Sequence, residues 1–163
     1  MEHSPAPREI SSRFEKLLAE LVCHNIDFAL VGGLAVILNG YPRVTLDADI
    51  LISERPENVR KLLDFLVHWG EGWARELRPE EFIPQEGCIR VSEDFDLDIF
   101  TRMQGHSLED FRGRLRWIDL GEVRLPILAP ADLILLKSGS WREKDKFDVL
   151  ALQEILAREA QKQ

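Results

Sequence analysis

The sequence predicts an α/β (α+β) protein, a small β-sheet flanked by helices, and three observations carry that expectation. Residues 28–52 read as an apolar strand, a Gly32-Gly33 turn, a short helix, a loop and a second strand. Two strand-like stretches, residues 44–52 and 95–100, each carry two aspartates two positions apart. Elsewhere, apolar residues recur at helical spacing, as in the stripe Ile10, Phe14, Leu17, Leu18, Leu21 and Val22.

The composition narrows the class. At 163 residues the chain suits one domain over 10–163, preceded by a flexible, proline-containing lead-in over 1–9. Hydrophobic residues at 45% and charged residues at 31% are ordinary for a globular protein. A net charge of −8 argues against nonspecific coating of nucleic acid, which rests on Lys and Arg. Cys23 and Cys88 are too few and too far apart for a zinc or disulfide framework, and read as buried small hydrophobes in a reducing compartment. With neither an apolar signal core nor a run of roughly 18 apolar residues, the expectation is a cytoplasmic protein that does not enter the membrane.

In chain order, the first stripe predicts a helix ending near His24-Asn25, with His24 a helix-end cation. Residues 26–31 form the first strand and 34–38 a short helix stopped by Asn39-Gly40. Pro42 enforces extended chain into the strand at 44–52. Pro56 opens a helix with the stripe Val59, Leu62, Leu63, Leu66 and Val67. Residues 74–87, with Pro79, Pro84 and several glutamates, read as a loop over the site, with Trp69 and Trp73 as core or lid aromatics. Residues 88–91 and 95–100 are strands, and Ser107 caps a helix start. His106 is a loop histidine. Residues 117–120 and 123–128 form a hairpin around Gly121-Glu122. Helices follow over 133–138, opened by Pro130, and over about 144–160.

The chemistry lies in the acid pairs. Side chains alternate along a strand, so Asp47 and Asp49 share a face. Adjacent carboxylates repel unless a cation lies between them, and Mg2+ takes carboxylates together with phosphate oxygens. Asp96 and Asp98 share a face of the later strand, and one of them completes a three-carboxylate group if the strands are neighbours. Gly32 and Gly33 let backbone approach an anion. Arg43 and Thr45 either contact a phosphate or fix the loop. One Asp-x-Asp strand is often only the solvent face of a sheet. Two of them in order with a Gly-Gly turn favour the metal site.

These residues resemble the nucleotidyltransferase superfamily typified by DNA polymerase beta: Gly32-Gly33, Asp47-Ala48-Asp49, and a third acid on a later strand. The string Asp98-Ile99-Phe100-Thr101, the run 131–137 ending in Lys137, and the run 142–148 resemble a small branch of abortive-infection-type toxins and minimal nucleotidyltransferases. The resemblance covers residues 28–152 and prefers Asp98 over Asp96. Leu34 departs from the polar residue usual after the glycines, leaving backbone to hold phosphate there. What the resemblance implies is a small mixed β-sheet flanked by helices, and transfer of a nucleoside monophosphate from an NTP such as ATP to a hydroxyl on a small molecule, RNA end or protein. Pyrophosphate is released. It implies two Mg2+ ions, with Mn2+ as alternative, on the catalytic Asp47, Asp49 and Asp98. It implies nucleotide binding by Gly32, Gly33, Thr45 and Lys137. Lys144, Asp145 and Asp148 read as a structural ion-pair network. The alternative is an inactive binding module or toxin–antitoxin component with a helical antitoxin as partner. A metalloprotein of unrelated fold is disfavoured because no histidines fall at metal-ligand spacing.

Overall fold

A computed structural model describes residues 12–162. Ile10 and the 1–9 lead-in lie outside the described residues. The element order is α1 (Ser12–Cys23), β1 (Phe28–Val31), α2 (Gly32–Leu38), β2 (Asp47–Ile52), α3 (Pro56–Leu66), β3 (Cys88–Ser92) and β4 (Asp96–Phe100). It continues with α4 (Leu108–Phe111), β5 (Arg116–Leu120), β6 (Val123–Ile127), α5 (Pro130–Lys137) and α6 (Glu143–Gln161).

The six strands form one mixed sheet in the order β3-β4-β2-β1-β6-β5. Pairing is parallel for β2 with β4 and for β1 with β6, and antiparallel for the rest. Central β1 is buried at all four positions, so both of its faces are covered. Along β2 and β4, Ala48, Ile50, Leu97 and Ile99 point into the core, leaving the aspartates on the opposite face. The stripe of α1 buries Phe14, Leu17, Leu18 and Leu21, each contributing about 1.5–3 kcal/mol by leaving water. Helix α3 buries Val59, Leu62, Leu63 and Leu66 as its period requires. Phe95 joins the ends of the core, with its ring 4.5 Å from Phe14 and 5.3 Å from Trp69.

Five expectations need correction. Cys23, at the end of α1, and Cys88, at the start of edge strand β3, are both exposed and not buried. The strand expected over 44–52 begins at Asp47, because Arg43 is bound to Asp148 on α6 and draws the preceding loop off the sheet. Val44 and Leu46 are left 81% and 82% exposed. The strand expected from Ile26 begins at Phe28, because the Ile26 N–H closes the end of α1 by donating to Leu21, with Asn25 at φ 57°. The two glycines form the first turn of α2 itself, so chain passes from strand to helix with no separate turn. Within 74–87, residues 83–85 are pinned to Thr101, which donates to the Ile83 carbonyl at 2.8 Å and accepts from the Gln85 N–H at 3.3 Å. The 73–77 end lies beside Arg90, while residues 86–87 run into Cys88 at the other end of β3.

Candidate active site

Register builds the site. Asp49 is the partner of Val31 on β1 and of Asp98 on β4, so the last residue before the glycines, the second acid of the pair and the later acid fall in one row, with Asp47 two positions along opposite Asp96. One carboxylate oxygen each from Asp47, Asp49 and Asp98 lies within 4.8 Å of the other two. Asp96 lies outside this group, accepting a 2.7 Å hydrogen bond from the Ser92 hydroxyl.

The glycines are shaped by these neighbours. Gly32 has φ +66°, and a Cβ there would overlap the Asp49 carboxylate. A Cβ on Gly33 would fall 2.6 Å from Arg43 Nη2 and 2.9 Å from Thr45 Oγ1. Thr45 donates to Asp47 Oδ1 at 3.2 Å, so this hydroxyl orients an acid of the group.

Electrostatics mark an unmet demand for positive charge. Burial first, then repulsion from Asp47 and Asp98, lifts the Asp49 carboxyl from 3.8 to about 7, against the opposing pull of Lys137. Asp98, 5% exposed, is clamped by Arg90 from β3, with Nε 2.7 Å from Oδ1 and Nη2 3.0 Å from Oδ2. The Lys137 ammonium lies 3.0 Å from both Asp145 Oδ1 and Asp148 Oδ2. Fully buried Asp148 also accepts from Arg43 Nη2 at 2.9 Å, and Arg43 Nε approaches Oδ1 at 2.9 Å without hydrogen-bond alignment. With Asp96, 3.5 Å from Arg90, six carboxylates thus meet three basic side chains in this region. Three convergent carboxylates with surplus negative charge and no soft donor among them fit a hard divalent cation.

Of the expected site residues, Asp47, Asp49 and Asp98 meet on adjoining strands, Gly32 and Gly33 at the start of α2 and Thr45 before β2 lie against them, and Lys137 acts on Asp49 from α5. Lys144 is exposed, whereas Asp145 and Asp148 hold Lys137 and Arg43 in place. His106 stands in a loop, 3.6 Å from Asp110. Reading the sequence did not single out Arg90. Its only signal is placement on a strand beside the later acids, and that partnership appears only once register is known.

A mixed sheet bearing an acid triad opposite a strand-to-helix glycine pair defines a nucleotidyltransferase fold. Residues 10–158 match the profile of the DUF6036 family, nucleotidyltransferases of unknown function, and the chain belongs to that family. The structure is similar to lincosamide antibiotic adenylyltransferase LnuA bound to lincomycin, with TM-score 0.60 and 17% identity over 90% of this chain and 98% of that one. It is also similar to an antigenic nucleotidyltransferase-like protein from Paracoccidioides brasiliensis, with TM-score 0.51 and 17% identity over 91% and 86% of the two chains. At this identity the likeness shows the fold. No curated protein matches the chain. Among the described residues, no helix is long and apolar enough to cross a membrane.

Proposed function

We propose that the chain moves a nucleoside monophosphate from an NTP, ATP foremost, to a hydroxyl acceptor and releases pyrophosphate. The observation that carries this reading is the convergence of Asp47, Asp49 and Asp98 beside a glycine pair that leaves no room for a side chain. Family membership and the fold shared with an adenylyltransferase support it. When bound, divalent ions, two Mg2+ or else Mn2+, would be held by the three aspartates and would supply charge neutralisation at the phosphoryl oxygens.

The chain's own groups divide the remaining work. Gly32 and Gly33 let Asp49, Arg43 and Thr45 pack directly against the backbone, so that backbone and not a side chain of its own faces the triphosphate. Lys137, held by Asp145 and Asp148 and acting on Asp49, contributes a positionally fixed but largely offset positive charge on that side. Thr45 orients Asp47, and Arg90 orients Asp98. The acceptor oxygen bonds to the α-phosphorus as the bond to the pyrophosphate oxygen breaks, and the hydroxyl proton passes to the Asp98 carboxylate.

Calorimetric titration of each NTP with Mg2+ tests the reading on wild type and on the double variant Asp47→Ala/Asp49→Ala. Metal-dependent binding by wild type and none by the variant is expected. Lincomycin is the first acceptor to assay for pyrophosphate release, given the structural neighbour. No metal-dependent NTP binding by wild type would overturn the reading.

A further inference from the structure

We infer that the acceptor binds in the cavity between β3 and the 73–77 turn, and that it is a neutral or cationic ring-bearing small molecule. The inference rests on the nucleotidyl-transfer reading and adds where the acceptor lies and what it is. In-line displacement sets the attacking oxygen and the leaving pyrophosphate on opposite sides of phosphorus. Across the sheet, the order runs from the glycines after β1, through Asp47 and Asp49 on β2 and Asp98 on β4, to Arg90 on β3. With the triphosphate at the glycine end, the acceptor enters from the β3 end.

A cavity of about 450 Å3 lies there, lined by Trp73, Glu76, Leu77, Arg90, Val91 and Ser92. Arg90 joins the cavity to the site, since the same guanidinium that forms its wall grips Asp98 at 2.7 Å. The walls are tied together, because Glu93 after β3 accepts the Glu71 N–H at 2.8 Å and the Trp73 N–H at 3.0 Å. The Trp73 backbone is therefore held while its side chain stands half exposed, at 50%.

The lining sets the ligand class. Trp73 offers a flat apolar face for a ring, and Glu76 and Ser92 offer polar partners for hydroxyl or ammonium groups. Arg90 is already matched by Asp98 and, at 3.5 Å, by Asp96, so it has no charge to spare for an anion. Glu76 is the remaining charged group of the lining. A phosphate-bearing acceptor such as an RNA end finds repulsion here instead of the basic surface it needs.

The test uses the full chain labelled with 5-fluorotryptophan, in which the Trp73→Phe variant identifies the Trp73 resonance among the four tryptophans. With Mg2+ and a non-hydrolysable ATP analogue present, the probes are phenyl glucoside, its 2-amino-2-deoxy counterpart, its 6-phosphate and a short oligoribonucleotide. The neutral and amino glycosides are expected to shift the Trp73 resonance, and Glu76→Gln to weaken the amino form about tenfold while leaving the neutral form unchanged. A Trp73 resonance unmoved by both glycosides, or moved most by the phosphate or the oligoribonucleotide, would overturn the inference. Binding of the ATP analogue reports on the transfer reading separately. Its loss alongside an intact Trp73 response would remove the acceptor role and the reading beneath it, whereas analogue binding with a silent Trp73 would remove the inference alone.

Discussion

Gly32 and Asp49 share one space: the carboxylate of Asp49 fills the position that a side chain on Gly32 would take, and Gly32 sits at φ +66°. Gly32→Ala therefore has to move an acid of the triad and strain its own backbone. Turnover is expected to fall at least ~100-fold, as a misplaced reacting group costs about that much. Stability should drop by only about 1–2 kcal/mol from the left-handed φ. Thermal melts beside pyrophosphate-release rates check both, and a variant of near wild-type rate would show that the carboxylate need not lie there.

Asp49 ties stability to pH. Its carboxyl is raised from 3.8 to about 7, so the folded chain holds the proton more tightly than the unfolded chain. The stabilisation is complete below about pH 4 and is lost as pH rises towards 7 in EDTA. Asp49→Asn should flatten that decline and raise Tm by roughly 3–8 °C at pH 8 in EDTA. Melts of the two proteins from pH 4 to 8 decide it, and parallel curves would count against the assignment.

The same proton competes with metal. Between pH 6 and 8, Mg2+ should bind more tightly as Asp49 loses its proton, and added Mg2+ should restore the stability lost in EDTA. Calorimetry at three pH values measures this, with Asp98→Asn as the variant that abolishes binding.

Asp148 is wholly buried between Arg43 and Lys137, and the Asp148→Asn variant leaves two cations against one remaining carboxylate, Asp145. Removing one partner of a buried ion pair costs about 3–5 kcal/mol. Denaturant midpoints give that value. NTP affinity should fall as well, because the anchor of Lys137 has gone.

Asn58 provides the contrast. Its side chain, 4% exposed, accepts from the Asp27 N–H at 2.8 Å and donates to the Asp27 and Ser53 carbonyls. Asn58→Ala should lose about 1–3 kcal/mol of stability without altering NTP affinity. A changed affinity would mean that the stitching of α3 to the sheet reaches the acids.

Much of this was legible in local pattern. Periodicity located α1, α3, the β5–β6 hairpin and the two aspartate strands, because each depends on neighbours one to four residues away. Val44 and Leu46 misled, since their apolar alternation reads as strand while Arg43 is committed to a helix more than a hundred residues downstream. Long-range pairings leave no periodic trace, which is why Arg90 with Asp98 and Asn58 with Asp27 came only from the fold. Choosing Asp98 over Asp96 rested on resemblance. Register sets each of them opposite an acid of β2, and it is Asp98 whose carboxylate converges with Asp47 and Asp49 while Asp96 turns to Ser92.

Asp49 and Asp98 are 49 positions apart, yet they meet only through a parallel pairing, and parallel strands require a long crossover. That pairing has to meet its loop-closure entropy before its contacts reward it. Until those strands pair, the acids stand as two separate like-charged pairs. The three-acid group, with the repulsion that lifts Asp49, therefore exists only once the topology is complete.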